Sequence, residues 1–343
     1  YEICACLVGS EMCIRDRTNI LPNADALFLT AIDPYGHELW RWTFPVNKLN
    51  QQTEQLSPLS SRPTYTETEN DLTVKANKRT FIFSKKDGQL KGVSVDNRKI
   101  SFANGPRFIG ARRADRSLDQ FYNHDDEKAK EKDRTYSEFP DAAVFTKLDV
   151  KQDGGDLVVT ANYKLGNLDK AQWTINPSGD LALDYTYNFS GVVDLMGIRF
   201  DYPEDQVISK RWLGAGPYRV WQNRIHGTQY DVWENDYNDP IPGETFTYPE
   251  FKGYFGDVSW MNIQTKEGTI SLTNETPDAY IGVYQPRDGR DRLLYTLPES
   301  GISVLNVIPP VRNKVNSTDL CGPSSQPKWV NGPQTGRVIF RFM

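Results

Sequence analysis

The chain has 343 residues, of which 38% are apolar and 25% charged, enough for one large β domain or two ordinary ones and too apolar for a disordered polymer. A net charge of −5 argues against a general nucleic-acid binder, and no window approaches the run of about 18 apolar residues that a membrane-spanning helix requires. Cys4, Cys6 and Cys13 crowd the N-terminus and only Cys321 lies beyond them, so the four cysteines do not form a disulfide framework.

Residues 1–17, YEICACLVGSEMCIRDR, carry no initiator Met and place their arginines last, the reverse of a secretory signal. The string CLVGSEMCIRDR resembles a translated sequencing adapter of the kind found at the ends of metagenomic reading frames. Residues 1–17 are therefore expected to be artefactual, with natural sequence missing upstream of residue 18. C-x-C plus one distant Cys and no nearby His is an incomplete zinc set, and neither a metal nor a cofactor is expected. In residues 18–46, ADALFLTAID, the turn PYG and HELWRWTFPV predict a β-hairpin. A hairpin of this size cannot bury its own aromatics, so it reads as the remnant of a larger domain. The polar, Pro-containing stretch 47–63 reads as a linker.

From residue 64 to 343 the pattern is strand, turn, strand. TFIFS and QLKGVSV flank Lys86-Asp87-Gly88, FTKLDV and LVVTANYKL flank Asp153-Gly154-Gly155, and AQWTI and LALDYTYNF flank Asn176-Pro177-Ser178-Gly179. Leu181, Leu183, Tyr185, Tyr187 and Phe189 fall on one face by strict alternation, the mark of a strand with one buried side. Runs such as YFGDVSWMNIQ, TISLT, ISVLNVI and RVIFRF continue the pattern. The fold class expected is all-β, a large antiparallel sandwich of two sheets. HDDEKAKEKD, 124–133, has no apolar stripe and reads as a solvated loop or short surface helix.

The segment 211–260 concentrates Trp and Tyr beside Asn, Asp, Arg and His at loop-like Gly and Pro density. Such a mixture suits a sugar, whose C–H faces stack on rings while its hydroxyls need fixed donors and acceptors. Core packing competes for each of these aromatics. Trp212-Leu213-Gly214-Ala215-Gly216-Pro217, followed by Trp221-Gln222-Asn223-Arg224, resembles the W-x-G-x-G-P…E-N-Y-x-D-R motif of the last domain of glycoside hydrolase family 2 β-galactosidases. FIFSKKDGQLKGVSVDNRKI resembles that domain's opening hairpin. GPRFIGARRADR stands in the place of its F-R-A-P-x-D-N-D segment, and AIDPYGHELWRW resembles the end of the immunoglobulin-like domain before it.

The resemblance implies a galactose-mutarotase-like supersandwich, 64–343, preceded by the end of an immunoglobulin-like domain, 18–46. It also implies a non-catalytic C-terminal part of a glycosidase whose catalytic barrel lies upstream in the same polypeptide. The two carboxylates of a retaining mechanism would then belong to that barrel, so no catalytic residue is assigned here and the fragment alone is expected to be inactive. Candidate carbohydrate contacts are Trp221, Arg224, His226, Trp233, Arg112 and Arg113. Arg219 and Asn223 replace the motif's Glu and Asp, and the stretch Ser300–Val304 lacks the Trp that a late loop of the family carries, so the sugar stays open.

The expected partners are a glycoside or oligosaccharide and the barrel, with no nucleic acid and no membrane. A homo-oligomer is compatible with these features, and a periplasmic or extracellular location is slightly favoured over a cytoplasmic one. The alternatives are a stand-alone carbohydrate-binding protein and an aldose 1-epimerase-like enzyme using His226 as acid/base. Asp231, Glu234, Asp236, Asn238 and Asp239 are oxygen-rich but lack the order of a calcium loop. Arg107, Arg112, Arg113 and Arg116 read as one loop that could clamp an anionic sugar or pair with acidic loops of the same domain.

Overall fold

The computed structural model describes residues 24, 26–46, 61–113, 136–237, 253–283, 298, 300–310 and 322–343. Residues 1–17, most of the 47–63 stretch, the charged 124–133 segment, Arg116, Asn238, Asp239 and Cys321 lie outside them. Residues 26–46 and 61–343 belong to two separate compact units. Among the described residues no helix is long and apolar enough to cross a membrane.

The first unit is a hairpin of β1 (Ala26–Ile32) and β2 (Glu38–Pro45). Asp33 closes its turn by accepting the backbone N–H groups of Tyr35 and His37, both at 2.8 Å. The register sets Leu27 against Phe44, Leu29 against Trp42 and Ala31 against Trp40, which collects the apolar side chains on one face. Leu29, Trp40, Trp42 and Phe44 remain about half exposed.

The second unit holds two large antiparallel sheets. Its first strands are β3 (Thr64–Glu67), β4 (Asp71–Ala76), β5 (Arg79–Ser84), β6 (Leu90–Val95), β7 (Arg98–Ile100), β8 (Ala103–Arg113) and β9 (Tyr136–Glu138). Then come β10 (Val144–Asp153), β11 (Asp156–Lys164), β12 (Leu168–Ile175), β13 (Leu181–Val193), β14 (Leu195–Asp201), β15 (Val207–Gly216) and β16 (Gln229–Asp236). The rest are β17 (Trp260–Thr265), β18 (Gly268–Asn274), β19 (Tyr280–Val283), β20 (Ile302–Val307) and β21 (Lys328–Phe342). One sheet runs β10-β11-β12-β13-β21-β18-β17-β15-β16; the other runs β19-β20-β14-β8-β6-β5-β4-β3, with β7 on β6 and β9 on β8. This is the all-β antiparallel sandwich of two sheets that the strand spacing predicts, and the supersandwich that the resemblance implies.

The predicted turns close as their glycines require. Gly179 sits at φ +82°, and a Cβ there would come within 2.8 Å of Arg79 and 2.9 Å of the Ala76 carbonyl. Arg79, itself buried, donates to the carbonyls of Phe342 and Ser178, both at 2.6 Å, and so ties this turn to the end of β21. Between the sheets, rings from both sides interlock. Trp173 of β12 lies 5.9 Å from Phe83 of β5 and 6.0 Å from Phe200 of β14, while Phe340 of β21 lies 5.3 Å from Phe200. Each such fully buried ring contributes about 1.5–3 kcal/mol through removal from water. Leu181, Leu183, Tyr185, Tyr187 and Phe189 all point into this core.

A second, smaller core covers the opposite face of the ten-stranded sheet. Ile109 and Ala111 of β8, Leu195 of β14 and Leu305 of β20 pack there against Val220, Trp221 and Tyr254. Because strand neighbours alternate, Phe108 serves the main core and Ile109 this one.

Candidate functional site

The second core fixes the segment that follows β15. Trp212 is fully buried, donates its indole N–H to the Ala215 carbonyl at 3.0 Å and meets Phe255 edge-on at 4.8 Å. The glycines of the motif make room for neighbours. A Cβ on Gly214 would come within 3.0–3.1 Å of the 256–258 backbone, and one on Gly216 would lie 2.4 Å from the Trp233 indole.

Beyond the cis Gly216–Pro217 bond, Val220 and Tyr254 exchange backbone hydrogen bonds at 2.7 and 2.8 Å. Trp221 and Arg224 pair across a tight turn. Gln222 then clasps a distant segment: its amide donates to the carbonyls of Ser324 and Gln326 at 3.0 and 2.7 Å, and its backbone N–H to Pro309 at 3.0 Å. Asn223 donates to the Ser325 hydroxyl at 3.1 Å. Arg219, in the place of the motif's Glu, is buried with its guanidinium 6.0 Å from the Phe255 ring centroid.

The predicted contact residues therefore fall into different settings. Trp221 is 3% exposed and meets Tyr254 edge-on at 5.7 Å, so its ring faces packing partners. Arg224 and His226 are exposed on the turn that leads into β16, with Tyr218 and Ile225 exposed beside them in the chain. Trp233 is half-buried, covers Gly216, and directs its N–H to the carbonyls of Gly214 and Gln229 at 3.2 and 3.1 Å. Arg112 and Arg113 stand at the end of β8, opposite Ser137 and Tyr136.

Of the arginines expected to share one loop, Arg107, Arg112 and Arg113 are strand residues instead. β8 is eleven residues long, and five residues of strand separate Arg107 from Arg112 by about 17 Å. Arg107 pairs with Asp201 on β14 and lies opposite Arg199 in register. Burial lowers the Arg199 pKa, and the charge of Arg107 adds to the effect against the opposing pull of Glu138, Asp201 and Asp141. Burial likewise raises the Asp141 carboxyl against the backbone N–H groups of Ala143 and Phe108. No group of three metal-ligating side chains that could hold an ion occurs among the described residues. The stretch Ser300–Val304 is the bridge into β20 and is mostly buried, so it forms part of the sheet.

Two polar depressions escape sequence reasoning because their walls come from distant strands. One, of about 400 Å³, is lined by Asp71, Lys86, Asp87, Gln89, Lys91 and Asn104, among others. The other, of about 360 Å³, joins Lys170, Asp184 and Thr186 to Glu275, Thr335 and Arg337. A partly buried hydrogen bond of 2.6 Å from Tyr187 to Asn306 similarly links β13 to β20.

Against this framework, the family model described as beta galactosidase small chain matches residues 75–309, more than half of the chain, and spans the motif and both sheets. The chain belongs to the beta galactosidase small chain family. Within the small-chain match lie β5 through β20 and the clasped 217–224 turn, while the hairpin of residues 26–46 and β21 lie outside it. A comparison with curated proteins returns no match.

Among solved structures, galactose 1-epimerase from Lactobacillus acidophilus NCFM aligns at 10% identity over 82% of this chain and 99% of its own, with a TM-score of 0.45. The GalM/aldose epimerase homologue from C. elegans aligns at 7% identity over 82% and 99%, with a TM-score of 0.36. An amine oxidase from Aspergillus nidulans aligns at 8% identity over 86% and 55%, with a TM-score of 0.32. Nothing about activity transfers at these values.

Proposed function

We propose that this small-chain member is the non-catalytic C-terminal part of a glycoside hydrolase family 2 enzyme resembling β-galactosidase. Its sandwich, 64–343, packs on a catalytic barrel carried elsewhere in the same polypeptide and shapes the rim of the glycoside site. Residues 18–46 are the end of an immunoglobulin-like domain, and 47–63 connect the two. The observation that supports this reading best is the family match, which includes the motif turn. That turn is held from beneath by Trp221 and from the side by Gln222 and Asn223, so Arg224 and His226 face outward on a fixed frame.

A positioned guanidinium and imidazole offer directed hydrogen bonds to sugar hydroxyls, and the half-exposed edge of Trp233 offers an apolar contact. Arg112 and Arg113, at the end of β8, are the further candidate contacts. Trp221 contributes by fixing the turn. The two carboxylates that retaining hydrolysis needs belong to the barrel.

Calorimetric titration of the chain with galactose, lactose and a panel of β-linked oligosaccharides, alongside nitrophenyl glycoside assays, tests this. The expected result is measurable binding without hydrolysis, weakened in Arg224→Ala and His226→Ala. Hydrolysis by the chain alone would overturn the non-catalytic reading. Binding unaffected by both substitutions would remove the turn as the contact surface. His226-dependent acceleration of sugar mutarotation would point to an epimerase instead.

A further inference from the structure

The outer face of the nine-stranded sheet carries a row of side chains that the small-chain match does not explain. β13 and β21 pair over thirteen residues without a register shift, from Leu181 opposite Phe340 to Val193 opposite Lys328. Exposure alternates along both strands, so Trp329, Asn331, Pro333, Thr335 and Arg337 share the outward face of β21. Asn188 and Ser190 stand beside them on β13, opposite Pro333 and Asn331. The row spans about 26 Å from Trp329 to Arg337 at the ordinary rise of a strand.

Its two ends differ in a way that suits one kind of occupant. At one end Trp329 is 71% exposed, an unusual position for the largest apolar side chain. At the other lies the 360 Å³ depression, where Arg337 is bound on one side by Asp184 and on the other by Glu275 at 2.9 Å. Burial works against the Arg337 charge, but its hydrogen bonds to Asp184 and the charges of both carboxylates outweigh that and raise its pKa. The guanidinium is thus held in place. With Lys170 the depression carries two acids and two bases, a balance that favours a neutral ligand with many hydroxyls over an ion. Between the ends, Ser190 bonds Asn331 at 2.9 Å and Asn188 bonds Asp169, so the intervening amides and hydroxyls are also fixed.

We propose that this face is a binding track for an extended neutral polysaccharide. One sugar ring stacks on Trp329, the chain runs along the Ser190–Asn331 and Asn188–Pro333 rows, and another ring is hydrogen-bonded in the Asp184–Arg337–Glu275 depression. The track rests on the carbohydrate reading above but uses residues other than Arg224 and His226; its Trp329 end begins three residues after Gln326, whose carbonyl Gln222 holds. Its role is to hold polymer, separate from any contact with the bond being cleaved.

Native affinity electrophoresis of the full chain, through gels containing β-1,4-galactan, xylan, mixed-linkage β-glucan or polygalacturonate, tests the proposal. At least one neutral polymer should retard the protein. Trp329→Ala should lower the apparent affinity about tenfold, as loss of a single aromatic anchor does, with an unchanged melting temperature. Thr335→Arg, an exposed substitution at the wall of the depression, should abolish retardation. The proposal is overturned if no neutral polymer retards the chain, if only polygalacturonate does, or if both variants migrate like the parent. Retardation lost in Arg224→Ala and His226→Ala but kept in Trp329→Ala would sustain the turn and remove the track; the opposite pattern would remove the turn and sustain the track.

Discussion

Replacing Asp180 by Asn takes from the Arg341 guanidinium its paired carboxylate in a place that water barely reaches. Asp180 and Arg341 meet at 2.6 and 2.8 Å with side chains only 14% and 15% exposed, and Asn176 adds a third hydrogen bond at 3.2 Å. Removing one partner of a buried pair costs about 3–5 kcal/mol, because the other charge stays desolvated. The residual exposure places this pair at the lower end, about 3 kcal/mol. For a domain of this size that is a fall of about 6 °C in melting temperature.

The effect should depend on pH in a defined direction. Burial alone would raise the Asp180 pKa, but hydrogen bonding and charge from Arg341, with help from Asn176 and Arg79, lower it below the ordinary carboxylate range. A depressed carboxylate contributes stability that is present above its unfolded value, near pH 4, and lost as pH falls through the folded value. The gap between parent and variant should therefore be full at pH 7 and close below about pH 4. Urea and thermal unfolding followed by circular dichroism, repeated across that range, measure it. Glu67→Gln is the control, because the Glu67–Lys85 pair is 45% and 33% exposed and should cost less than about 1 kcal/mol. Equal losses in the two variants at pH 7, or a gap in Asp180→Asn that does not narrow as pH falls below about 4, would refute the reasoning.

Two further substitutions separate packing from contact around the motif. Trp221→Ala should cost about 3–5 kcal/mol in urea unfolding, whereas Arg224→Ala, three residues on, should cost less than about 1 kcal/mol; similar losses would contradict the assignment of one to the core and the other to the surface. Gly216→Ala drives a methyl group to 2.4 Å from the Trp233 indole and should cost about 1–3 kcal/mol, with a changed near-ultraviolet signal from the displaced ring. An unchanged spectrum would show that the indole does not lie where the packing puts it.

Much of the sandwich is legible because its signals are local. The alternation of Leu181 through Phe189 and the turn residues Asp87-Gly88 and Asn176 to Gly179 each report on a few neighbouring residues, and the strands follow. The candidate site depends on partners that local pattern does not reveal. Trp221 resembles a ring platform until Tyr254, thirty-three positions later, is seen against it. Arg107 and Arg112 look like one charged loop, because the strand that carries them is charged on one side of Phe108-Ile109 and again at its end. The polar row on β13 and β21 reads as ordinary solvent-facing residues until strands 141 positions apart in sequence, at Ser190 and Asn331, are laid side by side.

The position of β21 has a consequence for how the domain assembles. The nine-stranded sheet consists of β10 to β13 on one side and β18, β17, β15 and β16 on the other, and β21 joins them. Each block can form from hairpins and nearby strands, but the link between them waits for a strand that follows all the others in sequence. Closing that span is a slow, entropically costly step. Until it is complete, β13 and β18 present open edges that can recruit β21 from a second molecule, so the joining strand is a place where this fold is exposed to strand exchange and aggregation.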